Sequence, residues 1–91
     1  MIPRKFTIFG EEIKVSFVKR VDSKDSLGEW NPNKNVIKIN KSLSQDQKEQ
    51  VFLHEMTHCI LNHLSYDMIS LDEGFVDRFS KALHQVLNSS K

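Results

Sequence analysis

His54-Glu55-Met56-Thr57-His58 lies inside a segment whose apolar side chains recur at helical spacing, and this coincidence constrains the chain more than any other feature. On a helix, two imidazoles four residues apart lie one turn above the other, rising about 6 Å along the axis and turning only about 40° around it. They can therefore grip one metal ion. Glu55 is turned roughly 100° from His54, so it borders such an ion without being forced into its coordination sphere. A general base for a water at the metal belongs there. Ser44 supplies an N-cap and Gln47 can reach back to complete a capping box, so the motif helix is predicted over 44–64. Leu53, Met56, Ile60 and Leu64 are expected to form its core stripe, with Val51, His54, Glu55 and His58 in the neighbouring sector.

A chain of 91 residues has room for one domain with a single modest core, so residues 1–91 are read as one unit. The formal charge of +1 comes from 13 basic and 12 acidic side chains spread along the chain. No nucleic-acid stripe or polybasic membrane patch is expected. Apolar runs are short and the first residues lead into a strand pattern, so neither a leader nor a membrane span is expected. Cys59 is the single cysteine, which excludes an intramolecular disulfide and fits a reducing, cytoplasmic compartment.

Residues 1–40 read mainly as strands. Phe6 and Ile8, then Ile13, Val15 and Phe17, alternate around Gly10-Glu11, which predicts a hairpin pairing Ile8 with Ile13 and Phe6 with Val15. Residues 19–28 are polar and turn-rich and read as a loop. Glu29-Trp30 and Val36–Ile39 flank Asn31-Pro32-Asn33-Lys34-Asn35, which predicts a second hairpin. A second helix is predicted over 71–88, with Phe75, Val76, Phe79, Leu83, Val86 and Leu87 at helical spacing and a tail, Asn88 to Lys91, that frays. The expected fold class is α+β: a small antiparallel sheet of two hairpins with two helices on one face. Trp30, Phe75 and Phe79 are expected in the core.

Two histidines leave a catalytic zinc site one protein ligand short. His63 lies five residues after His58, about 140° around the helix, and points away. Leu61 and Leu64 occupy the Gly and His positions of the longer H-E-x-x-H-x-x-G-x-x-H pattern, which is therefore absent. The second helix offers Glu73 as a candidate third ligand, alongside its reading as a solvated first-turn carboxylate. Asp77 one turn on is a candidate to hydrogen-bond the outward N–H of a ligating histidine, or else to pair with Arg78 or Lys81. His84 is eleven residues beyond Glu73, roughly 16 Å along the axis, so it cannot share that coordination sphere. His63 and His84 read as surface or packing residues.

H-E-x-x-H followed by E-x-x-x-D on the next helix resembles the gluzincin branch of zinc peptidases. More closely, Glu73-Gly74-Phe75-Val76-Asp77-Arg78-Phe79-Ser80 is similar to the E-x-x-A-N-x-F-A segment of the ImmA/IrrE-like metallopeptidases, a family that includes small phage and prophage proteins. The resemblance covers about residues 36–87, with Val76-Asp77 in place of Ala-Asn. It implies a minimal zincin-like domain, a single Zn2+ per chain on His54, His58 and Glu73, and Glu55 as general base in peptide-bond hydrolysis. It also implies that Val36–Asn40 lies along the cleft and that the substrate is a protein or peptide, such as a repressor. Tyr66 is a candidate to stabilise the oxyanion, or else a packing residue.

Two functions stay open on these grounds. One is a small zinc peptidase, favoured by Glu55. The other is a non-catalytic zinc-binding or protein-interaction module on the same fold, favoured by the short chain.

Overall fold

The N-terminal alternation forms a hairpin in the computed structural model, which describes residues 2–21 and 27–90. Strands β1 (Lys5–Ile8) and β2 (Glu11–Val18) pair antiparallel, with Phe6 opposite Ile13 and Ile8 opposite Glu11. The turn is Phe9-Gly10, with φ of 49° and 80°, one residue earlier than expected. Positive φ at both central residues matches the twist of the flanking strands. The pairing is thereby displaced by two residues from the predicted register, and a two-residue shift leaves every side chain on its original face. Phe6, Ile8, Ile13 and Val15 accordingly still face the core. Phe17, at the strand's far end, is largely exposed and carries the Lys48 ammonium over its ring at 5.4 Å.

The second hairpin joins β3 (Gly28–Asn31) to β4 (Val36–Asn40), with Trp30 opposite Ile37. Asn31 shapes its turn by accepting hydrogen bonds at Oδ1 from the backbone N–H groups of Asn33 and Lys34. Of the loop expected over 19–28, residues 22–26 lie outside the described residues and Gly28 belongs to β3.

The strand order is β1-β2-β4-β3, and β2 runs parallel to β4 with Val15 beside Ile37 and Phe17 beside Ile39. The sheet is therefore mixed, antiparallel within each hairpin and parallel between them. The chain reaches β3 on the far side of β4, so β4 returns between the two hairpins in the direction of β2. The α+β class holds. Ile13, Ile37 and Ile39, on the two central strands, are fully buried.

Three helices follow: α1 (Gln45–His63), the single turn α2 (Asp67–Ser70) and α3 (Glu73–Ser89). Ser44 caps α1 and forms the expected capping box with Gln47. The helices do not lie side by side on the sheet. α1 packs on the strands, and α3 packs mainly on α1. A helix covered on two sides does not show a single apolar stripe. Its buried residues are Phe52, Leu53, Thr57, Cys59 and Leu61, whereas Leu64 is exposed and Met56 and Ile60 are only partly covered. Phe52, Leu53 and Cys59 join the sheet residues in the core, and Phe6 meets Phe52 edge-on.

α3 turns Val76, Ser80 and His84 inward. Phe75 and Phe79, expected in the core, stack on each other at 5.7 Å on an exposed side. Trp30 is half-buried against the core, with its indole N–H donating to Asn62 Oδ1 at 2.8 Å.

Candidate metal centre

The chain is steered back to the motif by the way α1 ends. Ser65 adopts φ 64°, its N–H donates to Asn62 C=O, and Tyr66 N–H donates to Leu61 C=O. These two bonds satisfy the helix's last carbonyls and reverse the chain, with serine where glycine is commoner. α2 then delivers Ser70 against α1. Asp72 caps α3 by accepting from Phe75 N–H at 3.0 Å, which places Glu73 at the first helical position, facing the motif.

Three side chains converge there. His54 Nε2 lies 3.2 Å from Glu73 Oε1, and His58 Nε2 lies 3.2 Å from Glu73 Oε2. Ligands of a tetrahedral ion bound at about 2.0–2.1 Å stand about 3.3 Å apart. One donor atom from each of the three residues falls within 4.8 Å of the others. Two imidazoles and a carboxylate are a donor set that zinc accepts, so the residues fit the ion that the motif implies.

The surroundings orient the donors. Ser70 Oγ sits 2.9 Å from His58 Nδ1, and a hydrogen bond there fixes the tautomer that leaves Nε2 free for a metal. Burial pushes the His58 pKa down, against the pull of Glu73, and so favours the neutral ligand form. Asp77 Oδ1 stands 4.0 Å from His54 Nδ1, outside hydrogen-bond reach, while its other oxygen meets Lys81 Nζ at 3.1 Å. Ser70 was not singled out from the sequence. Only a helical turn in the connection, invisible in so short a segment, brings it to the site.

Glu55 borders the trio. Its carboxyl is raised from an ordinary 4.5 to about 7, first by burial, then by the negative charges of Glu73 and Glu29, with the Trp30 backbone N–H opposing the rise as a donor. That donor comes from β3, the edge strand. Gly28 lets β3 come this close: a Cβ there would stand 2.3 Å from Val51 Cγ1 and 3.4 Å from Glu55 Cγ.

β3, α1 and α2 enclose an open cleft of about 740 Å³ whose lining includes Trp30, Asn31, His54, Glu55, His58 and Glu73. Val36–Asn40, expected along the cleft, is interior to the sheet, paired to β2 on one side and β3 on the other. An interior strand has no edge to offer, and Gly28–Asn31 takes that place. Tyr66 is exposed and absent from the lining; among the described residues, the lining holds no Tyr, Lys or Arg. His63 points away as expected, with Nδ1 on Cys59 C=O at 2.8 Å and Nε2 3.3 Å from Glu11. His84 is not a surface residue. It is buried beside Asp46 and Glu49, in a second cluster on the same helices.

The peptidase family described as IrrE N-terminal-like domain matches residues 11–82, which takes in the sheet from β2 onward, the motif helix and the first half of α3. No curated protein and no solved structure matches the chain. The match spans the greater part of the chain and every residue of the His54–His58–Glu73 cluster with its neighbouring Glu55: the chain belongs to the IrrE N-terminal-like peptidase family.

Proposed function

We propose that the protein is a zinc-dependent peptidase whose metal is held by His54, His58 and Glu73 and whose general base is Glu55. The observation that carries this reading is the convergence of those three donors at ligand spacing, with a half-buried carboxyl beside them at the mouth of a cleft. Zinc, when bound, supplies a Lewis acid that polarises a carbonyl and lowers the pKa of water.

The remaining work falls to the chain. Glu55 takes the proton from the attacking water onto its carboxylate and passes it to the leaving amine. Burial raises the pKa of that carboxyl above its ordinary range, which strengthens it as a base. The Trp30 backbone N–H holds Glu55 in place, and Ser70 holds the His58 ring. An extended peptide lying along the edge strand β3 would pass its carbonyl between Glu55 and the histidine pair.

The substrate class is a protein or peptide, with a repressor as the favoured partner and the cytoplasm as the working compartment. No helix among the described residues is long and apolar enough to cross a membrane. The competing reading, a zinc-binding or interaction module without turnover, draws on the exposure of Glu73, whose side chain is 67% accessible. A peptide library incubated with the zinc-loaded chain tests the two. Cleavage that stops on chelation and returns with zinc supports the peptidase; identical peptide profiles with and without zinc-loaded protein would overturn it.

A further inference from the structure

The seam between α1 and α3 carries a second trio of ligating side chains, eleven residues along α3 from Glu73. His84 is only 8% exposed, and its Nε2 is a buried atom with no hydrogen-bond partner. That nitrogen faces Glu49 Oε1 at 3.5 Å and Asp46 Oδ1 at 3.6 Å. Both separations are long for hydrogen bonds, yet close to the spacing of about 3.3 Å between ligands of a tetrahedral ion. Donor atoms from the three residues lie within 4.8 Å of one another.

The local chemistry suits a cation. Asp46 and Glu49 are three residues apart on α1 and so share a face of the helix. Two carboxylates and a neutral imidazole present a charge that one divalent ion cancels. On the ring's other nitrogen, Gln50 approaches Nδ1 at 3.3 Å. The approaching atom is the amide nitrogen of Gln50; ligation through His84 Nε2 requires that amide to turn over, so that its oxygen accepts the Nδ1–H bond and the ring's Nε2 lone pair faces the carboxylates. An ion held by these three residues would join α1 to α3 and act as a staple.

We propose that His84, Asp46 and Glu49 form a second site for a divalent ion of the zinc class, tying the first turns of α1 to the second half of α3. Its role is to hold in register the two helices that supply His54, His58 and Glu73.

The test counts zinc ions on the full-length chain by native mass spectrometry, with cobalt absorption as a check on ligand geometry. Asp46→Asn/Glu49→Gln removes two ligands that are not core side chains and keeps the buried imidazole, so folding is preserved. The expected result is two ions on wild type, one on Asp46→Asn/Glu49→Gln, one on His54→Ala/His58→Ala, and none on the combination. Should the motif site fail to bind, wild type would carry one ion that only Asp46→Asn/Glu49→Gln removes, and the second site would still stand. An unchanged count in Asp46→Asn/Glu49→Gln, or no ion in His54→Ala/His58→Ala, would overturn the proposal and leave His84 as an ion-paired histidine.

Discussion

The seam between α1 and α3 brings together two trios that could hold an ion, with the residue types exchanged. At one level α1 offers two histidines, His54 and His58, and α3 answers with a carboxylate, Glu73. At the other, α1 offers two carboxylates, Asp46 and Glu49, and α3 answers with a histidine, His84. Both trios follow from one rule, that residues three or four apart on one helix can meet a single residue on an antiparallel neighbour. What separates them is everything else. The first trio opens into a cleft, touches an edge strand and has a carboxyl raised to about 7 beside it. The second is built around the buried ring of His84. Ligand geometry alone therefore marks where an ion can sit, and the neighbouring base and cleft mark where it can do chemistry.

The strongest way to break this contrast is to remove the base. Glu55→Gln keeps size and position while losing the ability to take a proton, and peptide hydrolysis should fall by about 10²- to 10⁴-fold. Zinc content, read by mass spectrometry, should not change. Wild type and variant acting alike would reduce the first trio to the status of the second.

Removing a ligand should separate the neighbours of the first trio. Glu73→Ala should weaken zinc retention by more than about a hundredfold, since a ligand costs more than an outer-shell partner, whose loss costs about 10- to 100-fold. Ser70→Ala should fall in that outer-shell range. Asp77→Ala should have the smallest effect, because its carboxylate is engaged with Lys81 and stands 4.0 Å from His54 Nδ1. A competition titration against a chromogenic chelator ranks the three, and Asp77→Ala exceeding Glu73→Ala would mean that the ligand has been misassigned.

The sequence displayed the first trio far better than the second, for physical reasons. His54, Glu55 and His58 are neighbours on one helix, and Glu73 follows a short connection that returns the chain to them. Asp46, Glu49 and His84 meet only once the crossing of α1 and α3 is known, and His84 sits in a stretch whose apolar neighbours make it read as packing. The strands show the same division. Period-two alternation carried the faces of β1 and β2 correctly even though the register moved by two. It could not specify that β2 would pair parallel to β4, a contact between segments far apart in the chain. That pairing makes Val36–Asn40, which the resemblance had placed along the cleft, an interior strand. Phe75 and Phe79 were misjudged because α3 packs mainly on α1 and not on a whole sheet, so four of its six large apolar residues, Phe75, Phe79, Val86 and Leu87, remain exposed.

A pH titration sharpens the difference in base character. In the metal-free protein the Glu55 carboxyl titrates at about 7 against an ordinary 4.5. The folded state therefore binds that proton more tightly than the unfolded state. Its contribution to stability is complete below about pH 4.5 and is lost as pH rises to about 7, at up to about 1.4 kcal/mol per unit of pH. Denaturant unfolding should show this decline in the metal-free wild type, and Glu55→Gln should flatten it. A decline of equal size in the variant would assign it to other groups.

Gly28→Ala is the mildest change and the most selective. The added methyl would start 2.3 Å from Val51 Cγ1 and 3.1 Å from Lys38 C=O, so the edge strand must move off α1. Overpacking of this kind costs about 1–3 kcal/mol, which thermal unfolding would register as a lower Tm. The same movement draws the Trp30 N–H away from Glu55 together with the cover and the Glu29 charge that β3 supplies. The held position of Glu55 is lost, so hydrolysis near neutral pH should fall while zinc at His54, His58 and Glu73 is retained. The atoms that a methyl at position 28 would meet belong to Val51, Lys38 and Glu55, none of them in the second trio, so ion binding there should be untouched. If Gly28→Ala instead released zinc from the second trio while sparing Glu55, the edge strand would not be what distinguishes the two levels of the seam, and the base would owe its state to α1 alone.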